Sequence, residues 1–304
     1  MSVTVFGSIN MDIVMRVDRL PKAGETVAAS SLQHLPGGKG SNQAVASAHF
    51  GASTRMIGAV GSDEFGTAMR DFLAETGVDI AGVDRLAGPT GLAHVFVSDE
   101  GENQIVIVAG ANGDVAAPAG WTAFGEGRAV ALAQLEVPVA ATAAFLAQAR
   151  NGGAITILNT APALTIPDAM LDDADLLILN ETELAFFLGT APPEGRVAAA
   201  DAARRLLRRT DQWVVVTLGG AGIVAVAHGD EIAVAAPRVP VVDTTGAGDT
   251  FCGVLAAGLS EGLAMAAALR LACTAASLSV QRVGAAASMP VRAEVDAAMT
   301  VAIA

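Results

Sequence analysis

Reactive and metal-binding side chains are scarce in this sequence. Its 304 residues include two cysteines, four histidines and no tyrosine. The histidines share no metal-ligand spacing with each other or with the cysteines, and no Gly-x-Ser-x-Gly nucleophile motif occurs. These absences argue against a zinc enzyme and against a serine hydrolase.

Positive charge is scarce as well. The chain has 18 Lys and Arg against 31 Asp and Glu, a formal net charge of -13. Proteins that bind nucleic acids or anionic membranes do so with clustered basic residues. We therefore expect neither a nucleic acid nor a membrane as a partner.

The two cysteines, Cys252 and Cys273, lie in apolar, alanine-rich runs. This setting predicts buried thiols inside helices rather than a disulfide framework. The first residues, MSVTVFGSINMD, predict a strand and a turn instead of the basic and apolar segments of a secretory leader. A reducing cytoplasmic location is the expectation.

Short aliphatic and β-branched runs alternate with stretches of helical spacing. SVTVFG, TRMIGAVG, AITILNT and DLLILN have strand character, whereas DEFGTAMRDFLAETG and VPVAATAAFLAQAR have helical spacing. Because alternation of this kind is typical of parallel sheets covered by helices, we predict an α/β fold with a mainly parallel sheet. No repeat or low-complexity tract divides residues 1–304, which predicts a single domain.

Two segments, about residues 13–35 and 91–109, interrupt the alternation with several short extended runs. They predict a small antiparallel sheet that forms a second layer or lid. The alternative is a pair of long edge loops on the main sheet.

The segment VVDTTGAGDTFCGVLAAGL at 241–259 predicts an apolar strand, a glycine-rich turn and a long helix. Gly246 and Gly248 allow the backbone to approach an anion, and Ala247, Gly248 and Asp249 present N–H groups at the helix start. An anion hole and an ordinary capped helix are equally compatible with this stretch alone.

Two better-known phosphate-binding motifs are not matched. The cluster PGGKGSN at 36–42 continues with Gly40 where a Walker A loop requires Ser or Thr. A dinucleotide-binding fingerprint requires a third glycine where Phe251 follows Gly248. A Walker A nucleotide-binding protein and a Rossmann dinucleotide-binding protein are therefore both disfavoured.

Further polar residues stand at predicted turns. Lys39 and Asn42 in PGGKGSNQAV suit a polyhydroxyl ligand. GSINMD is predicted to end the first strand, with Asn10 and Asp12 pointing the same way, and Glu136 closes the strand-like AVALAQLE. Alone, Lys39 and Asn42 are equally compatible with a turn whose lysine is solvated. The Asn10 and Asp12 pair alone is more often a turn, and Glu136 alone is usually a solvated charge at a strand end.

Two more turns have both a structural and a functional interpretation. Asn180 and Glu183 in NETE have the spacing of a capping box, and beside a nucleotide the same pair could orient metal-bound water. TLGGAG at 217–222 predicts a hairpin-like turn, which either covers a nucleotide or only connects two strands.

Taken together, these motifs resemble the ribokinase-like (PfkB) carbohydrate kinases. The resemblance is carried, in order, by GSINMD, PGGKGSNQAV, DEGENQIVIVAGAN, QLEVP, NTAPA, NETE, TLGGAG, DTTGAGDTF and QRVGAAASMP. It implies a Rossmann-like core with a small β-sheet lid that often forms the dimer contact, and hence a homodimer.

The resemblance also implies the site residues and the cofactors ATP, Mg²⁺ and K⁺. Asp249 is implied as the catalytic base, and the residues implied to hold the sugar are Asn10, Asp12, Gly38, Lys39, Gly40, Ser41, Asn42, Glu136 and Asp249. Those implied to line the ATP site are Asn180, Thr217, Leu218, Gly219, Gly220, Ala221, Gly222, Gly246, Ala247, Gly248 and Cys273. Glu183 is implied to organise Mg²⁺, and a K⁺ loop is implied at Asp243, Thr245, Ser279, Arg282, Gly284 and Ser288.

The implied reaction transfers the γ-phosphoryl group of ATP to the 5-hydroxyl of D-ribose. Asp249, at a helix start, is expected to favour its ionised form and to accept the hydroxyl proton. A nucleoside kinase or another furanose or ketose kinase is the alternative, although the lid offers only Phe96, His34 and His94 for stacking on a base. A noncatalytic sensor would be expected to lack Asp249 or the neighbouring glycines, and both are present.

Overall fold

A nine-stranded sheet forms the centre of the computed structural model, which describes residues 2–121 and 128–301. Across the sheet the strands follow the order β13 (Asp230–Val234), β12 (Ile223–Ala227), β11 (Trp213–Thr217), β10 (Leu176–Asn180), β9 (Ile155–Asn159), β8 (Ala129–Ala133), β1 (Ser2–Phe6), β4 (Ser53–Gly61) and β5 (Asp79–Leu86). All pairs from β5 to β11 are parallel, whereas β12 and β13 are antiparallel. The predicted mainly parallel sheet is confirmed.

Helices cover both faces of this sheet, because successive side chains of a strand point to opposite faces. Val3 and Val5 of β1 belong to the core on one face, whereas Phe6 stacks on Phe145 in the core on the other face. The first face carries α1 (Lys39–His49), α2 (Glu64–Glu75), α7 (Ala247–Ser260), α8 (Met265–Ser279) and α9 (Arg292–Val301). The second face carries α3 (Val139–Asn151), α4 (Asp168–Asp172), α5 (Glu181–Leu188) and α6 (Gly195–Arg204).

Three short 3₁₀ helices complete the described secondary structure, at Gly110–Asp114, Gly219–Ala221 and Ala286–Ser288. Within the described ranges, none of the helices combines the length and the apolar character that crossing a membrane requires.

A second sheet lies at the carboxyl side of the first. Its strands follow the order β3 (Ala29–Gly37), β2 (Asn10–Val17), β6 (Gly91–Ser98) and β7 (Asn103–Val108). The outer pairs are antiparallel as expected, but the central pair of β2 and β6 is parallel. The reason is connectivity, since β2 follows β1 and β6 follows β5, and β1 and β5 run in the same direction in the main sheet.

The strand predicted before the glycine-rich turn is absent. Val241 and Val242 are 64% and 59% exposed and belong to no strand. The N–H groups of Val242 and Asp243 both donate to the carbonyl of Val280, and Pro240 has no N–H to offer a neighbouring strand. The prediction of an apolar strand was wrong because the two valines lie in an exposed loop.

Two strand ends also differ from the sequence-based boundaries. β1 ends at Phe6, so Asn10 and Asp12 open β2 instead of ending the first strand. β8 ends at Ala133, which leaves Glu136 in the following connection. Both differences move the polar residues from the main sheet into its junction with the small sheet.

Candidate active site

A lysine and a glutamate meet at the carboxyl edge of the main sheet. Lys39 is the first residue of α1, and its Nζ lies 3.7 Å from Oε1 of Glu136. Oε2 of Glu136 accepts hydrogen bonds from the backbone N–H of Lys39 (3.0 Å) and from the hydroxyl of Ser8 (2.6 Å). Three segments distant in sequence are therefore joined at one carboxylate.

The turn that precedes α1 must be built from glycine. Gly38 has a φ of +89°, and a Cβ at that position would lie 2.7 Å from the backbone N of Asn10. A Cβ on Gly37 would overlap the carboxylate of Asp12. The structure thus brings the predicted PGGKGSN and GSINMD segments into contact.

Asp12 titrates far above the usual range of an aspartate. Burial, together with the negative charges of Glu136 and Asp249, raises its pKa to about 7, against an opposing effect of Lys39. Asp12 is thus a carboxyl group that changes charge near neutral pH.

Asp249 lies in the first turn of α7 and is 8% exposed. Its Oδ2 accepts a hydrogen bond from Nδ2 of Asn42 (2.9 Å), and its Oδ1 accepts one from Nε2 of Gln43 (3.0 Å). Asn42 was predicted here, whereas Gln43 was not. Both oxygens of the carboxylate are oriented by donors from α1.

The pKa of Asp249 is shifted in the opposite direction to the expectation. Burial raises its pKa above the usual aspartate value, despite the opposing effects of Lys39, Asn42 and Gln43. The expectation that the helix start favours the ionised form was wrong in its net direction, because removal from water outweighs the favourable partners. A raised pKa makes this carboxylate a stronger base.

Lys39 carries the compensating positive charge. Burial lowers its pKa, but Asp249, Glu136 and Glu183 raise it more, so the net pKa is raised. The ammonium therefore stays charged among the surrounding carboxylates.

The start of α7 has the features of an anion site. Gly246 caps the helix with a φ of +75°, and the cap has no side-chain hydrogen bond. The N–H groups of Gly248 and Asp249 lie in the first turn, where no intrahelical acceptor exists. A Cβ on Gly248 would meet nothing within 4 Å, so this turn faces open space.

Asn180 and Glu183 form a capping box at the start of α5. Oδ1 of Asn180 accepts from the N–H of Glu183 (2.8 Å), and Oε2 of Glu183 accepts from the N–H of Asn180 (2.8 Å). Burial raises the pKa of Glu183, on which Lys39 and Asp249 also act. The pair therefore caps the helix and also contributes a carboxylate within electrostatic reach of Asp249.

The TLGGAG segment is the predicted hairpin turn, since it joins the antiparallel strands β11 and β12. Gly222 has a φ of +96°, and a Cβ there would overlap the carbonyl oxygen of Val234. Sγ of Cys273 lies 3.9 Å from the neighbouring carbonyl of Ala235. Burial raises the pKa of Cys273 to about 11, which keeps this thiol protonated.

The segments predicted to hold a monovalent cation also meet. Oδ1 of Asp243 accepts from the N–H (2.9 Å) and hydroxyl (2.7 Å) of Thr245, and Oδ2 accepts from the N–H of Gly284 (2.9 Å). Burial raises the pKa of Asp243, but these hydrogen bonds lower it more, so that the net pKa is lowered. A Cβ on Gly246 would lie 2.9 Å from Cα of Ala285, so this loop packs against the start of α7.

Two other members of that predicted set, Arg282 and Ser288, form local contacts in the same region. The N–H of Arg282 donates to the carbonyl of Ser279 (3.1 Å), while its side chain pairs with Glu294. The hydroxyl of Ser288 donates to the carbonyl of Ala285 (2.7 Å). Among the described residues, no three His, Cys, Asp or Glu side chains converge as metal ligands.

Several buried polar residues of the site were not predicted individually, although they stand inside the motifs. Asn112 is an example, since its Nδ2 donates to Oδ1 of Asn10 (2.7 Å) and its Oδ1 accepts from the N–H of Ile9 (2.9 Å). The others are Ser8, Gln43, Gln134 and Asn159.

Comparison with known proteins identifies the relatives of this chain. The family model described as pfkB family carbohydrate kinase matches residues 1–292. The ribokinase of Bacillus subtilis is 38% identical over 298 residues, covering 97% of this chain and 98% of that protein. The structure of Arabidopsis thaliana ribokinase complexed with ribose and ATP superposes with a TM-score of 0.87 at 34% identity, covering 98% of both chains.

The same fold occurs in a kinase of another substrate class. The structure of a nucleoside kinase from Burkholderia thailandensis in complex with inosine has a TM-score of 0.80 at 20% identity, covering 99% of this chain and 97% of that one. At this identity the likeness shows the fold alone.

Proposed function

The chain belongs to the pfkB family of carbohydrate kinases, and we propose that it transfers the γ-phosphoryl group of ATP to the 5-hydroxyl of D-ribose. The observation that carries the proposal is the position of Asp249. This buried carboxylate lies at a helix start open to an anion, within electrostatic reach of Asp12 and Lys39. The similarity to ribokinases over nearly the full length supports the choice of sugar.

The sugar side of the site is rich in hydrogen-bond acceptors. Oδ1 of Asn42 is buried and has no protein partner in the described part of the chain. Because an unpaired buried acceptor is unfavourable, a ligand hydroxyl is a suitable partner for it. The carboxylates of Asp12 and Glu136 offer further acceptors, as a polyhydroxyl ligand requires. Asn10, Lys39 and the Gly38–Asn42 turn complete the proposed sugar site.

Asp249 acts as the general base in this proposal. It accepts the proton of the 5-hydroxyl while the hydroxyl oxygen bonds to the γ-phosphorus and the bond from that phosphorus to the ADP oxygen breaks. A base of this kind contributes about 10² to 10⁴-fold, most effectively when its pKa is near the working pH. The raised pKa of Asp249 therefore favours the role.

The first-turn N–H groups of α7 are assigned to the transferred group. Gly248 and Asp249 offer their N–H groups where negative charge accumulates on the phosphoryl oxygens. Asn180, Cys273 and the turn at 217–222 are assigned to the rest of the nucleotide, on the side of the site where β10 and β11 end.

Two cations are part of the proposal. Glu183 is proposed to hold a Mg²⁺ ion through water, and Mg²⁺ neutralises charge on the phosphates when it is bound. The residues around Asp243 are proposed to bind K⁺, mainly through backbone oxygens. Because this loop packs against Gly246, K⁺ bound in the loop would act on the position of the start of α7.

We also propose a homodimer formed through the small sheet, which acts as a lid. Its edge strand β7 is exposed along its whole length and is strongly apolar, with Ile105, Val106 and Ile107 between 54% and 58% exposed. Leu32 on the opposite edge strand is 56% exposed. An exposed apolar edge strand favours pairing with another chain. Two free, buried cysteines agree with a cytoplasmic location.

A nucleoside kinase is the rival assignment. Nucleobases are commonly held by stacking on aromatic rings. His34 is exposed and its ring packs edge-on against Phe65 at 5.2 Å between centroids. His34 is thereby engaged with Phe65, and the other rings on the described strands of the small sheet are those of Phe96 and His94, both partly buried. This limited set of rings favours ribose over a nucleoside.

The test is an ADP-release assay across ribose, deoxyribose, fructose and nucleosides, with Mg²⁺ and K⁺ present. We expect ribose to give the highest kcat/KM and phosphorus NMR to identify ribose 5-phosphate. Preparing Asp249→Asn in parallel controls for contaminating kinases. A higher kcat/KM for a nucleoside would assign the rival function, and no turnover with any acceptor would indicate a sensor.

A further inference from the structure

A chain of buried amide side chains connects the main sheet to Asp249. Nδ2 of Asn159 donates to the carbonyl of Ile178 (3.1 Å), and Nε2 of Gln43 donates to Oδ1 of Asn159 (3.1 Å) and to Oδ1 of Asp249 (3.0 Å). Nε2 of Gln134 donates to Oε1 of Gln43 (2.6 Å). Gln43 and Gln134 are 0% exposed and Asn159 is 8% exposed, so water does not compete for these bonds.

The hydrogen bonds fix the orientation of each amide. A backbone carbonyl can only accept, so Asn159 must turn its NH₂ toward Ile178 and its oxygen toward Gln43. Gln43 must then present its NH₂ to Asn159, and the second hydrogen of that NH₂ goes to Asp249. Gln134 completes the chain by donating to the oxygen of Gln43. No rotated form of Gln43 satisfies the same three partners.

The fold makes room for this arrangement at two glycines. Gly253 lies one turn after Asp249 in α7, and a Cβ there would lie 2.5 Å from the carbonyl oxygen of Gln43. A Cβ on Gly7 would overlap the side-chain oxygen of Gln134. The glycines allow α1 to approach α7 and allow Gln134 to lie over the end of β1.

We propose that Gln43 is a positioning residue, which orients the carboxylate of Asp249 for the incoming hydroxyl and is itself held by Gln134 and Asn159. Asn42 holds the other oxygen of Asp249, so the two donors fix the plane of the carboxylate. A carboxylate has about four acceptor sites, which leaves lone pairs for the substrate. The inference rests on the proposed role of Asp249 as the base.

The pH dependence of turnover separates this role from simple packing. Gln43 donates to the charged form of Asp249 and so lowers its pKa, and loss of the donor must raise that pKa further. The other groups that act electrostatically with Asp249 are Asp12 on β2, Lys39 on α1, Glu136 after β8, Glu183 on α5 and Cys252 on α7. These groups are unchanged in a Gln43 variant. A change in the pH dependence of turnover relative to wild type therefore reports on the loss of Gln43.

The first experiment compares Gln43→Met and Gln134→Met with wild type over a range of pH. For Gln43→Met we expect kcat to fall about tenfold at neutral pH, with KM for the sugar little changed, because a bond to a charged acceptor is lost. The acid limb of kcat/KM moves to higher pH, so the deficit shrinks as pH rises. For Gln134→Met we expect a smaller fall in kcat and a smaller shift of the acid limb of kcat/KM in the same directions.

Gln212→Met is the matched control. Gln212 is also 0% exposed, and its side chain makes three hydrogen bonds, with the carbonyls of Leu171 and Ala174 and the N–H of Arg208. It lies in the segment before β11, outside the site, so its loss should reduce stability without moving the acid limb. An unshifted acid limb in Gln43→Met, with losses like those of Gln212→Met, would overturn the positioning role.

A second measurement covers the case in which no acceptor is phosphorylated. Without Gln43 the folded protein favours protonated Asp249 more strongly, so the loss of unfolding free energy in Gln43→Met should grow as pH rises. In an Asp249→Asn background the same loss should be independent of pH. Equal pH dependence in the two backgrounds would reject the inference, whatever the substrate. If Gln43→Met does not fold, Gln134→Met is measured in its place, with the same expected and contradicting results.

Discussion

Nζ of Lys39 lies 3.7 Å from Oε1 of Glu136, while the backbone N–H of the same lysine donates to Oε2 of that glutamate at 3.0 Å. The one residue thus contacts both oxygens of the carboxylate. Its positive charge also acts on Asp12 and Asp249, whose pKa values it lowers. Lys39 therefore balances the negative charge of the proposed sugar site.

Replacing Lys39 with methionine should disturb this balance. We expect KM for ribose to rise about tenfold and the acid limb of kcat/KM to move to higher pH, because the pKa values of Asp12 and Asp249 rise when the cation is lost. Lys22→Met, at the chain's other lysine, is the control. An unchanged KM and acid limb in Lys39→Met would contradict the assignment.

The raised pKa of Asp12 predicts how stability depends on pH. The ordinary pKa of an aspartate is 3.8 and that of Asp12 in the folded protein is about 7, so its contribution to stability is present below about pH 4 and is lost as pH rises through about 7. Wild type should therefore lose unfolding free energy across this window. Asp12→Asn should lose less, as measured by urea denaturation at several pH values. A variant with the full wild-type loss would show that Asp12 titrates normally.

The loop around Asp243 predicts a response to monovalent cations. Wild type should have a severalfold higher kcat/KM in K⁺ than in Na⁺ or without a monovalent ion. Asp243→Ala should lose this difference, because Asp243 joins the segments at Thr245 and Gly284. Asp230→Ala, at the exposed start of β13, is the control. Indifference of the wild type to K⁺ would reject the cation site.

The exposed strand β7 predicts a dimer contact. Ile107→Lys should shift the protein from dimer to monomer in sedimentation experiments, because a charge would enter the apolar interface. Val197→Lys is the matched control. Val197 is 70% exposed on α6, which packs on the nine-stranded sheet and is not part of the small sheet. A wild-type monomer, or an Ile107→Lys dimer as stable as wild type, would refute this interface.

Much of the fold could be predicted from local patterns. The runs that became β1, β4, β9 and β10 were recognised because buried parallel strands are continuously apolar. Val241 and Val242 have the same local pattern, yet they are exposed because no neighbouring strand pairs with them. β5 and β13 are half-polar strands at the two edges of the sheet and gave no comparable signal. Whether these segments form strands depends on pairing with segments distant in sequence, which a local pattern does not reveal.

The residues of the candidate site were predictable where the residue type is seldom found in that sequence context for another structural reason. Gly38 before Lys39 and Gly246 before Asp249 stood out because a positive φ and a close backbone approach require glycine there. Gln43 and Gln134 did not, because a glutamine in a helix or after a strand is usually solvated. Their role arises only when the fold places Gln134 against Gln43 and Gln43 against Asp249.

The central claim, that Asp249 is the base of a ribose kinase, is tested most directly by kcat of Asp249→Asn with ribose and ATP. We predict that kcat falls about 10² to 10⁴-fold, while calorimetry finds the affinity for ATP and the folded state retained. An Asp249→Asn protein that turns over ribose at the wild-type rate would contradict the account.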